Sequence, residues 1–167
     1  PTALQILPGD GVTGAALTSN PAIDGVAFTG STETAQIIHK TMATHLNPGA
    51  PLIAETGGQN AMIVDSTALP EQVVQDAIIS GFQSAGQRCS ALRVCYVQED
   101  IADELIELIS GAMKELKVGD PKNLTTDIGP VIDKESYSNL NQHINNMKES
   151  SVFINKTEVA NNDGNYV

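Results

Sequence analysis

The sequence predicts an α/β fold built on parallel strands. Over residues 3–55, short apolar runs alternate with helix-like segments in the order strand, helix, strand, helix, strand, and parallel strands require such crossovers. A second unit of strands and helices is predicted from residue 61 onward. Of the 167 residues, 41% are hydrophobic and 17% are charged, which is a globular composition with enough chain for a sizeable core.

The first predicted strand, at 3–7, precedes three glycines that match the dinucleotide-binding fingerprint G-x-G-x-x-G, namely Gly9, Gly11 and Gly14. The fingerprint also needs an acidic residue about 20 positions further on, and this sequence meets that requirement poorly. We therefore interpret most of these glycines as a strand-to-helix turn that leads into a short helix at 15–17.

A second apolar strand, at 25–28, runs into the polar turn at 29–32 and then into a helix at 33–44. Ser31 or Thr32 can cap this helix through its hydroxyl oxygen. The backbone N–H groups at the start of a helix have no intrahelical acceptor and form a natural anion site. This turn is therefore the predicted binding site for phosphate groups.

The next strand, at 52–55, is predicted to be buried and ends in Glu55, which is followed by Gly57 and Gly58. A carboxylate at the end of an apolar strand is a candidate general base, because the loss of water around it favours proton uptake. The two glycines let a ligand or another segment approach the backbone closely. A solvent-facing glutamate beside a turn is the alternative, and these residues alone favour that alternative.

A cysteine follows the third predicted helix. Apolar residues at helical spacing over 73–82 predict this helix, and Gly86 is suited to end it in the left-handed conformation. Cys89 then lies on a turn before a strand at 93–97. A thiol attacks as its thiolate, which a cation such as Arg88 favours. From these residues alone, a buried and inert cysteine is an equal alternative.

The remaining elements complete the second half of the chain. The pattern predicts a strand at 61–64, an amphipathic helix at 101–117, a loop or edge segment at 127–132 and a strand at 151–154. Four apolar residues at helical spacing predict a last helix: Tyr137, Leu140, Ile144 and Met147.

Charge and cysteine content exclude several classes of function. The net charge is −11 and no cluster of Lys or Arg occurs, which argues against nucleic acid and anionic membranes as partners. Cys89 and Cys95 provide neither a disulfide framework nor a zinc motif, and the three histidines are scattered, so no metal site is predicted. No apolar run reaches the ~20 residues of a membrane span. We expect a cytoplasmic protein.

Three ordered stretches resemble signatures of the aldehyde dehydrogenase superfamily. They are Val-Ala-Phe-Thr-Gly-Ser-Thr at 26–32, Ile-Ala-Glu-Thr-Gly-Gly-Gln-Asn at 53–60 and Phe-Gln-Ser-Ala-Gly-Gln-Arg-Cys-Ser at 82–90. The residues around Cys89 look most like the glutamate-semialdehyde dehydrogenase branch, especially the bifunctional proline-utilisation enzymes of bacteria. The resemblance runs from about residue 4 to about residue 150.

The resemblance implies a three-layer aldehyde-dehydrogenase-like fold. Residues 1–56 would be the end of a Rossmann-like NAD-binding domain, and residues 57–167 would be part of the catalytic α/β domain that bears the cysteine. Because enzymes of this family are longer on both sides of these motifs, we expect the chain to be a fragment. The parent protein is expected to be a homo-oligomer. The resemblance to this branch also implies that a flavin-dependent proline dehydrogenase can be fused to it in the same polypeptide.

The resemblance also implies roles for individual residues. Cys89 would be the nucleophile, Glu55 the base that activates water, and Ser90 a contact for the substrate carboxylate. The cofactor, NAD, would be bound by residues of the turns and strand ends: Gly9, Gly11, Thr29, Gly30, Ser31, Thr56 and Gly57.

The implied reaction is the NAD-dependent oxidation of L-glutamate 5-semialdehyde to glutamate, a step of proline catabolism, through a thiohemiacetal and a thioester on Cys89. One alternative is a relative that acts on another aldehyde or passes its acyl group to coenzyme A. Glu55 argues against acyl transfer, since acylating relatives usually lack that base. The other alternative is a structural unit without turnover, which is the expectation for the isolated chain.

Overall fold

The computed structural model describes residues 3–152, 155–159 and 164–167. Its contacts divide the chain into two compact units, Pro1–Gly58 and Gln59–Val167. The sequence analysis places a domain boundary after residue 56, and the roles assigned there to the two domains stay predictions. Within the described ranges, no helix is both long and apolar enough to cross a membrane.

The first unit contains two helices and two parallel strands in alternation: α1 (Gly11–Thr18), β1 (Val26–Gly30), α2 (Thr32–His45) and β2 (Leu52–Thr56). Its core is one face of α2, because Ile38, Met42 and Leu46 are buried against the strands and the loops beside them. Burial of this apolar stripe holds the helix on the strand pair.

The second unit contains two further parallel strands and three helices. In order these are β3 (Ala61–Val64), α3 (Pro70–Phe82), β4 (Val94–Val97), α4 (Glu99–Glu115) and α5 (Lys134–Ser150). Its core is formed by Val64 on β3, Val73 on α3 and Leu105 on α4, of which Leu105 is 1% exposed. Helices α3 and α4 therefore pack together on one face of the strand pair.

Most predicted elements are confirmed, with shifted ends. The strand at 61–64 has the predicted bounds, and the predicted helices at 33–44 and 101–117 correspond to α2 and α4. The predicted edge segment at 127–132 forms an isolated parallel bridge, between Ile128 and Val118. The predicted strand at 151–154 includes residues 153 and 154, which lie outside the described residues.

Two expectations about the first unit are wrong. Residues 3–7 form no strand and pair with no strand of the described chain, and Ile6 is 88% exposed. The strand at 52–55 forms, but it is not buried, since Ile53 is 61% exposed. The reason is that α2 covers only one face of the β1–β2 pair, so that Leu52 packs against the helix while Ile53 points the other way.

Candidate active site

The carboxyl ends of β1 and β2 bring several predicted site residues together. In the parallel register, Thr29 lies opposite Glu55 and Gly30 lies opposite Thr56. In α/β sheets, ligands bind outside the carboxyl ends of the strands. The predicted cofactor residues Thr29 and Gly30 of one signature therefore lie beside two residues of the other signature. These are Glu55, the predicted base, and Thr56, a predicted cofactor residue.

Helix α2 begins at the same edge. The Ser31 hydroxyl caps it by accepting a hydrogen bond from the Thr34 backbone N–H at 3.1 Å, which confirms Ser31 as the cap. Helix geometry leaves the N–H groups of Thr32 and Glu33 without intrahelical acceptors. They are available to an anion such as a phosphate group. The carboxylate of Glu33 lies in the same first turn and weakens the attraction for a second negative charge.

Glycines shape the surroundings of this turn. A Cβ on Gly30 would collide with the ring of Phe28, so only glycine leaves that ring where it is. An apolar cavity of about 490 Å³ lies beside β1 and extends to α1 and α2. Gly11 and Gly14 line it together with Val26 and Ile37.

The fingerprint glycines have a structural explanation as a helix start. Asp10 caps α1, because its carboxylate accepts hydrogen bonds from the N–H groups of Val12 and Thr13. A Cβ on Gly9 would collide with the Thr13 side chain. The strand that should precede a dinucleotide-binding loop does not form here. The predicted short helix at 15–17 is confirmed as part of α1, but α1 begins at Gly11, so Gly11 and Gly14 lie in the helix and only Gly9 precedes it. The predicted strand before the turn is wrong.

Glu55 is exposed to solvent at the end of β2, followed by half-buried Thr56 and exposed Gly57. Shielding of this carboxylate by apolar neighbours, one of the two alternatives from the sequence, does not occur in the described chain. The exposed position corresponds to the solvent-facing alternative from the sequence. It leaves the carboxylate accessible to a water molecule.

The turn that carries Cys89 follows an unusual left-handed segment. Helix α3 ends at Phe82, and Ser84, Ala85 and Gly86 then have φ angles of 58°, 53° and 65°. Glycine adopts this conformation at no steric cost, whereas the two other residues store strain. The predicted left-handed Gly86 is confirmed, but the helix ends four residues earlier, because the left-handed angles of Ser84 and Ala85 break it after Phe82.

Cys89 and Ser90 are both exposed at the tip of the following turn. The alternative of a buried cysteine is therefore wrong for Cys89. It describes Cys95 instead, which is partly buried on β4 among the residues of the second core. Burial raises the pKa of the Cys95 thiol. The two cysteines thus differ in access, as expected for one reactive and one structural thiol.

Side chains from distant parts of the second unit hold the Cys89 turn. The Asn60 amide donates hydrogen bonds to the carbonyl oxygens of Cys89, at 2.6 Å, and of Ala91, at 3.0 Å. The Arg93 guanidinium donates to the carbonyl oxygen of Gly86 at 2.7 Å. Gln87 accepts a hydrogen bond from the Ile132 N–H at 2.9 Å. The turn is therefore an ordered part of the unit.

The predicted site residues are thus divided between the two units. The carboxylate, the capping serine and the glycines of the β1–β2 edge belong to the first unit, and the exposed cysteine with Ser90 belongs to the second. In the part of the chain that the structure describes, no group of three or more His, Cys, Asp or Glu side chains is placed to hold a metal ion.

With this geometry, the class of protein is defined: the chain belongs to the aldehyde dehydrogenase family, whose profile matches residues 1–167. Members of this family are generally NAD(P)-dependent. The expected fold is confirmed, because a crystal structure of Bradyrhizobium japonicum proline utilization A matches with a TM-score of 0.91 at 53% identity. That match covers 95% of this chain and 16% of the other.

Among curated proteins, the chain is similar to the bifunctional protein PutA of Klebsiella aerogenes, with 56% identity over 152 residues. It is also 34% identical over 146 residues to a 1-pyrroline-5-carboxylate dehydrogenase from a Geobacillus species. These matches cover 89% and 84% of this chain, but only 12% and 28% of the two relatives. The resemblance to the proline-utilisation branch is thereby confirmed.

Sequence reasoning assigned no role to Asn60, Gln87 and Arg93, although all three lie in or beside the signatures. Asn60 and Cys89 are 29 positions apart, and no spacing rule predicts their hydrogen bond. The one available signal was the position of Asn60 directly before the strand β3, because that strand pairs with the strand that follows the cysteine turn.

Proposed function

We propose that the full-length protein carrying this chain oxidises L-glutamate 5-semialdehyde to glutamate with NAD as the hydride acceptor, a step of proline catabolism. The observation that carries the proposal is Cys89, which is exposed on an ordered turn in a chain of the aldehyde dehydrogenase family. The substrate follows from the relatives, which include bifunctional PutA proteins and 1-pyrroline-5-carboxylate dehydrogenases.

In the proposed reaction, the Cys89 sulfur attacks the aldehyde carbon. A bond forms between sulfur and carbon, the π electrons of the carbonyl move to its oxygen, and the product is a thiohemiacetal. The backbone N–H of Cys89 is the proposed donor that stabilises the charge on this oxygen. Bound NAD would supply the acceptor for the hydride that leaves the carbon, so that a thioester remains on the sulfur.

Glu55 is the proposed base for the second half of the reaction. It takes a proton from water as the water oxygen attacks the thioester carbon, which releases glutamate and returns the thiol. The exposed carboxylate at the end of β2 supports this role, because water reaches it freely. Ser90, exposed beside the nucleophile, is the proposed contact for the second carboxylate of the substrate.

The first unit has features that fit a dinucleotide. The first turn of α2, after Ser31, offers free N–H groups for the phosphates, and Gly30 lets the Phe28 ring pack against the backbone just before this turn. The apolar cavity lined by Gly11 is large enough for a planar base. We propose that Thr29, Thr56, Gly57 and Gly9 contribute to the same site. The choice of NAD over NADP belongs to the proposal.

The test uses the full-length protein carrying this sequence, a panel of aldehydes, and either NAD or NADP, with and without coenzyme A. L-glutamate 5-semialdehyde with NAD should give NADH and free glutamate at the highest kcat/KM. A higher kcat/KM with another aldehyde would overturn L-glutamate 5-semialdehyde as the substrate. A requirement for coenzyme A would overturn hydrolysis as the second step. The absence of NADH formation with every aldehyde would overturn the dehydrogenase assignment.

Variants of the two reactive groups test their roles. Cys89→Ser should abolish NADH formation while NAD still binds, and Cys95→Ala serves as the matched control that keeps activity. Glu55→Gln should slow thioester hydrolysis more than hydride loss, so that a burst of NADH is followed by slow turnover. Retained activity in Cys89→Ser, or loss of the burst in Glu55→Gln, would contradict the assigned roles.

The proposal extends to the assembly of the protein. A proline dehydrogenase in the same polypeptide is supported by the similarity to proteins named bifunctional PutA. That this dehydrogenase uses a flavin and that the protein is a homo-oligomer stay predictions. A cytoplasmic location stays a prediction.

A further inference from the structure

The two peptide groups on either side of the Cys89 α-carbon are each held by a hydrogen-bonded carbonyl. In the preceding peptide, the Arg88 oxygen accepts from the Ala91 N–H at 3.2 Å and from the Arg93 guanidinium at 3.5 Å. In the following peptide, the Cys89 oxygen accepts from the Asn60 amide at 2.6 Å. Donors that lie outside the turn therefore contact both peptide planes.

This arrangement determines the direction in which the side chain of the nucleophile leaves the backbone. A peptide group is planar, so the only soft backbone torsions at Cys89 are its φ and ψ, and these are set once both flanking planes are held. The Cα–Cβ bond that carries the sulfur then has one direction. In a trans peptide the C=O and N–H groups point in opposite ways. The Cys89 N–H therefore points away from the donors that hold the Arg88 oxygen.

Asn60 connects this turn to the strands. Its side-chain amide has two N–H groups, and both are used, one on Cys89 and one on Ala91. The backbone carbonyl oxygen of Asn60 accepts hydrogen bonds from the backbone N–H groups of Arg93, at 2.9 Å, and of Val94, at 3.1 Å. Asn60 thus ties the nucleophile turn to the start of both β3 and β4. A site supported by paired strands is held more precisely than one on a free loop.

Arg93 completes the support from the other side of the turn. Its guanidinium donates to the Gly86 oxygen at 2.7 Å, at the end of the left-handed segment, as well as to the Arg88 oxygen. One terminal nitrogen, Nη2, makes both contacts, and its N–H groups are fixed in the rigid guanidinium plane, so this one side chain can contact both carbonyls. The strained segment before the turn is therefore fixed by the same side chain as the peptide before Cys89.

We propose that Asn60 and Arg93 are positioning residues that set the direction of the Cys89 Cα–Cβ bond and N–H before an aldehyde binds. The inference rests on the proposed function, since it assigns that nucleophile its support. Neither side chain needs to contact the substrate. Their loss should lower kcat and leave KM for the aldehyde nearly unchanged, because a misplaced reacting atom costs rate without removing contacts of the bound substrate.

The experiment compares Asn60→Ala and Arg93→Lys with a matched control in the full-length protein. Gln98 provides that control, because its side chain accepts a hydrogen bond from the Ser66 N–H at 2.9 Å, at the opposite end of the same two strands. Gln98→Ala removes a comparable link between the strands away from Cys89. The measurements are kcat, KM, the unfolding temperature and the hydrogen exchange of the segment 84–92.

We expect Asn60→Ala to lower kcat by about 100-fold, with KM changed by less than about threefold. Exchange of the segment 84–92 should accelerate about tenfold, as for the loss of one strong hydrogen bond. Gln98→Ala should shift the unfolding temperature by a similar amount and leave kcat and this exchange unchanged. The kcat of Arg93→Lys should fall between those of Asn60→Ala and the unmodified protein, because a lysine keeps the charge but lacks the rigid plane that directs the N–H groups of arginine.

Two results would overturn the inference. The first is an unchanged kcat in Asn60→Ala, and the second is an equal loss of kcat in Gln98→Ala, which would mean a general effect of stability. If Asn60→Ala fails to fold, Arg93→Lys against Gln98→Ala decides by the same criteria. If the unmodified protein oxidises no aldehyde, the proposed function fails, while the exchange of 84–92 still supports or overturns the role of Asn60 and Arg93.

Discussion

Replacement of Gly86 by alanine tests whether the segment before Cys89 depends on its left-handed conformation. Gly86 has φ of 65°, and a Cβ built on it lies 2.8 Å from the carbonyl oxygen of Gly81. The same Cβ lies 3.3 Å from a guanidinium nitrogen of Arg93, the side chain that holds the Gly86 oxygen. The alanine methyl therefore meets a backbone atom that cannot rotate away and presses on the side chain that supports the turn.

The magnitude has two parts. An alanine in the left-handed region costs about 1–2 kcal/mol relative to glycine. Forcing an additional methyl group into a packed position costs about 1–3 kcal/mol more, because the backbone must shift to relieve the contact. We therefore expect Gly86→Ala to lower the free energy of unfolding of this region by about 2–5 kcal/mol. Catalytic turnover should fall with it, because Arg93 is displaced from the turn.

Urea denaturation followed by residual activity and by fluorescence measures this loss. With a slope of about 1–3 kcal/mol per molar, the midpoint should fall by about 1 M or more. Ala85→Gly is the matched control, because it relieves the same left-handed strain one residue earlier and should change stability by no more than about 1 kcal/mol. A Gly86→Ala variant with an unchanged midpoint and unchanged kcat would refute the reasoning, and so would an equal loss in both variants.

Three further predictions concern the core, a helix cap and the effect of pH. Leu105→Ala removes a side chain that is 1% exposed, and should lower the free energy of unfolding by about 2–5 kcal/mol in a denaturant titration; a loss below about 1 kcal/mol would contradict its place in the core. Ser31→Ala should cost about 1 kcal/mol of stability and raise KM for NAD, whereas Ser31→Asp should restore the cap but not the affinity, because its charge repels phosphate. The hydrogen bond from the Ser136 backbone N–H lowers the pKa of the Asp133 carboxyl, which caps α5. The stabilisation of α5 by this cap is therefore complete above the pKa that Asp133 has in the unfolded chain, and it is lost as the pH falls through the lower pKa that Asp133 has in the folded protein. The protection of the α5 amides, measured as their exchange rate relative to an unstructured peptide at the same pH, should therefore fall on acidification in the unmodified protein and stay nearly level in Asp133→Asn, and equal protection profiles would contradict this linkage.

The elements that sequence predicted well are those specified by local signals. Helix α2 begins where a serine can cap it, and the strand at 61–64 has its predicted bounds because an apolar run lies between polar turns. The strand expected at 3–7 failed for the opposite reason. Its apolar pattern is adequate for a strand, but a strand is stable only when it pairs with another strand. The local sequence pattern does not show whether a pairing strand is present.

The sequence predicts the candidate reactive groups of the site, but it does not predict the contacts that hold them in position. Cys89 and Glu55 were identified from signatures, and both are exposed on the elements where the pattern placed them. Of the two alternatives for Glu55, the solvent-facing one describes the structure, because burial depends on which face of β2 the helix α2 covers. The left-handed Ser84 and Ala85 gave no signal in sequence, because such residues adopt this conformation only under tertiary constraint.

The sequence by itself determined the alternation of strands and helices, the capping of α2, the left-handed Gly86 and the family. These depend on residues near one another or on an ordered set of motifs. Only the tertiary structure decided that Thr29 lies opposite Glu55 and that Asn60 holds the carbonyl of Cys89. The physical reason is that strand register and contacts between distant segments arise from the packing of whole faces. The energy of that packing is a sum over many residues, so no single motif predicts it.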